Sequence, residues 1–170
     1  MKGIELTPSQ IKAYENGATK FLFPIDIRID KYSNLIVGDD NLGVCINGTP
    51  NFKLCIEKYA PIQKGDKDIF VQEEFIEECP NGICIKKDYE LEEWESLEEY
   101  GYINKASKMT KDQSRYSFSE CIDVKVIRVQ DIEWVMGFHF QRFYNRCMEE
   151  RNINRTYKDN DYVFSVEFKK

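Results

Sequence analysis

Tyr116-Ser117-Phe118-Ser119-Glu120-Cys121-Ile122-Asp123-Val124-Lys125-Val126-Ile127-Arg128-Val129 is the stretch that decides the fold. Its side chains alternate in character with a period of two, as a strand with one buried and one wet face requires. A second alternating run, Tyr162-Val163-Phe164-Ser165-Val166-Glu167-Phe168, lies near the C-terminus. Between the two, 131–151 places Val135, Phe138, Phe140, Phe143, Tyr144, Cys147 and Met148 on a broad apolar helical face. Residues 114–170 therefore read strand, helix, strand. A late strand needs an existing sheet to receive it, which predicts a closed or nearly closed small barrel. The expected class is α+β: a small mixed β-barrel with flanking helices, as one domain over 1–170.

Upstream, Thr7-Pro8-Ser9-Gln10 is a helix start. Thr7 caps, Pro8 suits the first turn, Gln10 completes a capping box, and Gly17 stops the helix, so a helix is predicted over 8–16. The run 20–29 is apolar and extended, with Pro24 marking an edge or a break. Strands are predicted over 34–46, 52–58, 68–73 and 83–86. Residues 90–100 form a short acidic helix or flap, and 101–113 a polar, lysine-bearing loop. Cys79-Pro80-Asn81-Gly82-Ile83-Cys84 carries a hairpin turn signal at Pro-Asn-Gly. Its cysteine spacing misses the usual zinc pattern, and no second pair or histidine cluster accompanies it, so no metal is expected. Cys121 and Cys147 read as small buried thiols.

The net charge of −6 argues against indiscriminate nucleic-acid binding. The charge is uneven: residues 57–100 hold 14 acids and 5 bases, whereas 101–170 hold 13 bases and 10 acids. A local phosphate-contacting patch remains compatible with that polarity. His139, Arg142 and Arg146 share one helical stripe, read either as a solvated edge or as a phosphate-facing surface through Arg142 and Arg146. No apolar run approaches the roughly 20 residues of a membrane span, and the N-terminus lacks the apolar core of a signal peptide. A cytoplasmic protein is expected.

In order along the chain, several segments resemble the phage and prophage proteins of the ASCH group, within the PUA-like superfamily. Gly17 before Ala18-Thr19-Lys20 resembles the family's Gly-x-Lys motif. Gly65-Asp66, then Ile69-Phe70-Val71-Gln72-Glu73-Glu74-Phe75, is similar to its Gly-Asp turn and the strand ending in an Arg-Glu-Thr-Trp-like sequence. Ile85-Lys86-Lys87-Asp88 looks like the next strand. Lys105 to Met109, then Ser114-Arg115, resembles the loop leading into the long strand. Val124 to Ile132 and Phe164 to Lys170 resemble that strand's exit and the closing strand.

The resemblance implies a PUA-like barrel with a cleft near the end of the first helix, and a binding module for RNA, a nucleotide or a modified nucleobase. On that reading Lys20, Gln72, Glu73, Lys108 and Arg115 bind the ligand, without catalysis and without a cofactor. One ASCH branch is an acetylcytidine amidohydrolase using a Lys, a Thr and a Glu. Here Thr19 occupies the Lys position, Leu22 the Thr position, Pro24 the following basic position, and Gln72 replaces the Arg of the Arg-Glu-Thr-Trp-like sequence. A divergent hydrolase would need Thr19 and Lys20 to exchange roles, with Glu73 as the acid. A third reading is a phage factor that meets a host protein, in the host cytoplasm, through the acidic segment 73–99 with Trp94 and Tyr100 interleaved.

Overall fold

The computed structural model describes residues 1–25, 45–46, 49–79, 82–98, 103–132 and 137–170. The fold is α+β. Its main sheet has five strands in the order β1-β5-β9-β10-β2, formed by β1 (Lys2–Glu5), β2 (Lys20–Pro24), β5 (Lys67–Gln72), β9 (Ser117–Arg128) and β10 (Tyr162–Lys169). β1 and β5 run parallel and the other neighbours antiparallel. A second sheet, β7-β6-β8, is built from β6 (Phe75–Cys79), β7 (Gly82–Ile85) and β8 (Ile103–Asn104). A short pair, β3 (Cys45–Ile46) and β4 (Thr49–Pro50), stands apart. Four α-helices complete the chain: α1 (Pro8–Glu15), α2 (Phe52–Tyr59), α3 (Leu91–Glu98) and α4 (Gly137–Glu150). Among the described residues, no helix is long and apolar enough to cross a membrane.

The long strand carries the sheet, as its alternation predicts, but its buried positions Phe118, Cys121, Val124 and Val126 are spaced three, three and two. Cys121 and Val124 are both buried although they lie three positions apart. The cause is in the pairing with β10: Glu167 faces Asp123 while Phe168 faces Cys121, so β9 holds one extra residue. That bulge leaves Ile122 exposed and sets Cys121 on the side of Val124 and Val126, in the core that Phe118 also joins. Bulges of this kind bend and twist a strand.

β2 explains the uninterrupted apolar run Phe21-Leu22-Phe23. Phe21 and Phe23 join the core with Phe164, Val166 and Phe168, whereas Leu22 and Val163 pack on the other side with Phe140, Tyr144, Cys147 and Met148 of α4. The strand is buried on both faces, so it has no wet face to alternate with. In α1 the capping box forms: Thr7 Oγ1 accepts from the Gln10 amide at 3.3 Å and Gln10 Oε1 from the Thr7 amide at 3.0 Å. Gln10 Nε2 then donates to the Leu22 carbonyl at 2.8 Å, tying helix to strand. Gly17 closes the helix at φ +94°, a conformation that disfavours any side chain.

Three expectations change. The segment 52–58 is a helix, because Asn51 accepts from the Leu54 amide at 3.0 Å as an N-cap and one side packs on the core through Cys55. The polar loop before β9 contains β8 and two short 3-10 turns, Ala106–Lys108 and Lys111–Gln113, with Ala106 and Met109 buried. β1 is an element that the apolar patterning passed over, because four residues paired to β5 give too short a signal. The strand predicted over 34–46 lies outside the described residues except for its last two.

The hairpin reading of 79–84 holds for the strands, β6 and β7 being antiparallel neighbours. Cys84 is also disulfide-bonded, whereas Cys55, Cys121 and Cys147 carry free thiols.

Candidate functional site

α1 and α4 lie side by side and leave a cleft of about 630 Å³ at the C-terminal end of α1. Ser9, Lys12, Ala13 and Asn16 recur at i, i+3, i+4 and i+7, so α1 presents one continuous face to it. His139, Phe140, Phe143 and Arg146 do the same from α4, and Gly17, Ala18 and Lys20 close the end. The surface is chemically divided. Phe140, Phe143, Ala13 and Ala18 supply an apolar floor, while Lys12, Lys20 and Arg146 supply three cations. No carboxylate belongs to this lining among the described residues. The cations' acidic neighbours lie outside it: Lys20 Nζ is 3.5 Å from Glu167 and Arg146 Nε is 3.5 Å from Glu150. Both pairs are long and their basic partners well exposed, so they hold the side chains weakly.

The stripe of His139, Arg142 and Arg146 reaches a second cavity of about 730 Å³. Arg142 and Arg146 line it together with Lys12, Lys86, Lys87 and Trp94, and Glu90, Glu149 and Glu150 offset their charge. Lys12 and Arg146 are shared by both cavities.

A third constellation sits where β5 passes into β6. Glu73 is 3% exposed, and Arg115 grips it with two bonds, Nε to Oε2 at 3.2 Å and Nη2 to Oε1 at 2.8 Å. Arg115 Nη1 donates to Asp88 at 2.7 Å. Lys87 beside it donates to Glu15 at 2.6 Å, and Tyr116 donates its hydroxyl to the same Glu15 oxygen. Burial lowers the Arg115 pKa, but the hydrogen bonds and charge of Glu73, with Asp88 behind them, raise it overall. Gln72 turns away from this cluster. Its Nε2 donates to the carbonyls of Ser107 and Met109 at 3.3 and 3.0 Å, pinning the turn that holds exposed Lys108.

The expected site residues therefore fall into two groups. Gln72, Glu73, Lys108 and Arg115 cluster near the end of β5, whereas Lys20, Arg142 and Arg146 belong to the α1–α4 side. Thr19, Lys20 and Glu73 do not converge. The Lys20 ammonium faces Glu167 on β10, Glu73 is held by Arg115, and β9 and β10 stand between β2 and β5 in the sheet. The geometry that a hydrolase alternative requires is absent here. The slot for Thr in the motif is filled by Leu22, and its side chain is spent packing on α4. Trp94 is 1% exposed in a small core with Ile76 and Cys84, so it does not stand on the acidic face. Tyr100 lies outside the described residues. The free thiols are structural: burial pushes Cys55 and Cys121 up to about 11 and Cys147 up to about 12. Among the described residues, no group of three His, Cys, Asp or Glu could hold a metal ion.

Sequence reasoning missed Lys12, Glu15, Lys87 and Asp88. Lys12 was legible, because 9, 12, 13 and 16 share a helical face. The other three become neighbours only through tertiary packing of α1 against the 86–88 turn.

The Glu15 contacts give a pH signature. The Lys87 hydrogen bond first, then that of Tyr116, hold the Glu15 carboxyl below its ordinary 4.5. A group whose folded pKa is depressed contributes stability that is present above the unfolded value and lost as pH falls through the folded one. Asp66, held down by Lys2, and Asp123, held down by Lys125, act in the same sense. Urea midpoints are expected to be level above the unfolded Glu pKa of 4.5 and to fall below it. Glu15→Gln is expected to flatten part of that fall. An unchanged pH slope in the variant would show that the contacts do not couple to folding.

Compared with protein-family models, curated proteins and solved structures, the chain matches none.

Proposed function

We propose that the chain is a non-catalytic binding module whose α1–α4 cleft takes a nucleotide, a modified nucleobase carrying phosphate, or the end of a short RNA. The observation that carries this reading is the lining of that cleft, with Lys12, Lys20 and Arg146 around an apolar floor and no carboxylate among the described lining residues. A flat base suits Phe140 and Phe143, and a phosphate suits the three cations. The cleft also lies at the end of the first helix, where the ASCH resemblance places one. We read the sheet as a PUA-like barrel on two supports: the bulge in β9 and the two-sided burial of β2.

A thermal-shift screen against nucleosides, nucleotides, modified cytidines and short RNAs tests the reading. A ligand at about 100 times its Kd adds roughly 2.7 kcal/mol, which is about 5–10 °C for a domain of this size. Nucleotides are expected to shift the midpoint more than their nucleosides, and Arg146→Ala or Lys20→Ala to remove most of the difference. A flat screen on folded protein would overturn the proposal. The second reading, docking of a basic protein, rests on Glu92, Glu93 and Glu95, which are exposed on α3, and a pull-down from host extract would then be its test.

A further inference from the structure

Arg151, just past the end of α4, is a half-buried guanidinium that makes no ion pair with a described acid. Its Nη2 donates to two neutral acceptors, the Glu5 carbonyl at 3.1 Å and Gln10 Oε1 at 2.9 Å. Its guanidinium carbon lies 5.4 Å from the centre of the Phe23 ring. Its Nε is buried and has no hydrogen-bond partner. Without an ion pair its charge is only partly compensated, and the buried, orphaned Nε–H carries a desolvation cost. Burial accordingly pulls the Arg151 pKa below its ordinary value.

The same side chain lines a cavity of about 570 Å³ that shares no lining residue with the α1–α4 cleft and is formed with Gly3, Glu5, Lys58, Tyr59 and Gln72. Lys58 is exposed at the last turn of α2, and no ion pair ties it to a described acid. Glu5 is the one acidic residue of this lining among the described residues, and it makes no ion pair with Arg151. Gly3 keeps the backbone close: a Cβ there would lie 2.4 Å from the Gln72 side chain. The wall beside Arg151 therefore offers cations, the Gln72 side chain laid over Gly3 and the rings of Tyr59 and Phe23.

We infer that this cavity is a second binding site, separate from the α1–α4 cleft, for a small oxyanion that Arg151 and Lys58 neutralise. Phosphate and small dicarboxylates share the chemistry such a site recognises. A guanidinium with donors to spare binds either one through paired hydrogen bonds.

The test is an NMR titration of the full-length, isotope-labelled chain at constant ionic strength, once with inorganic phosphate and once with malonate. The probes are the Arg151 Nε–Hε resonance and the Gly3 and Glu5 amides. A saturable shift of these signals by one anion is expected, and the anion that saturates at lower concentration identifies the source. Lys58→Ala is expected to weaken the effect severalfold while the Arg151 resonance stays in place. Arg151→Lys is expected to abolish it. Should Arg151→Lys fail to fold, Lys58→Ala still decides. Arg146→Ala, which removes a cation of the other cleft, is expected to leave the titration unchanged. The inference is overturned if neither anion shifts these resonances saturably, or if Lys58→Ala leaves the midpoint where it was.

Discussion

Arg115→Ala is expected to destabilise the protein by about 2–4 kcal/mol. Glu73 is 3% exposed, and without Arg115 its carboxylate stays in the interior with no cation against it. Orphaning a fully buried charge costs about 3–5 kcal/mol. Arg115 itself is 32% exposed, so water entering its place lowers the figure somewhat. The urea midpoint is expected to fall with an unchanged slope, and the melting temperature by roughly 5–15 °C. The pair Arg115→Leu with Glu73→Leu is expected to recover most of the loss, because neither charge is then left behind. A variant of Arg115 that keeps full stability but loses a bound nucleotide would instead make Arg115 a ligand contact, as the family resemblance implies. The two outcomes separate a latch that joins the β5–β6 bend to the start of β9 from a binding residue.

Phe168→Ala and Phe118→Ala are the second pair of large effects, each expected to cost about 3–5 kcal/mol. The two rings stack at 4.2 Å between centroids with 14° between planes, and both are 1% exposed. Phe118 also meets Phe21 at 5.8 Å and Tyr14 at 5.1 Å, so the stack joins β9, β10, β2 and α1. Truncating either ring leaves a cavity that four elements share, and close packing prevents it from collapsing. Against a typical total of about 5–15 kcal/mol, such a loss brings the domain near its folding threshold. The double variant is expected to cost less than the sum, since each ring's removal already ends the stack. Chemical denaturation with near-ultraviolet circular dichroism reads both. A loss below about 1 kcal/mol for Phe168→Ala would mean that the last strand is not docked on the sheet.

The parts of the candidate site that were legible in the sequence are those set by local spacing. Arg142 and Arg146 share a helical stripe with His139, which needed only helix geometry, whereas Lys20 on β2 joins Arg146 only through the packing of the fold. Glu73 and Arg115 lie 42 positions apart, and nothing local joins them. It is the bend between β5 and β6 that brings them together. Lys12 could have been found from the face it shares with Ser9 and Asn16. Arg151 could not, because its distinguishing property is a buried Nε–H without a hydrogen-bond partner, and that is a property of the packed environment.

By itself the sequence determined the elements whose signal is periodic or capped: the long strand β9, the closing strand β10, the capped helix α1 and the apolar face of α4. These follow from side-chain period and from hydrogen bonds between residues three positions apart, both of which the linear chain contains. Only the tertiary structure decided the bulge at Ile122, the parallel pairing of β1 with β5, the helix at Phe52–Tyr59 and the burial of Trp94. Each of these depends on which partner strand or core surface is available, and long-range packing overrides short local preferences whenever the burial it gains is larger.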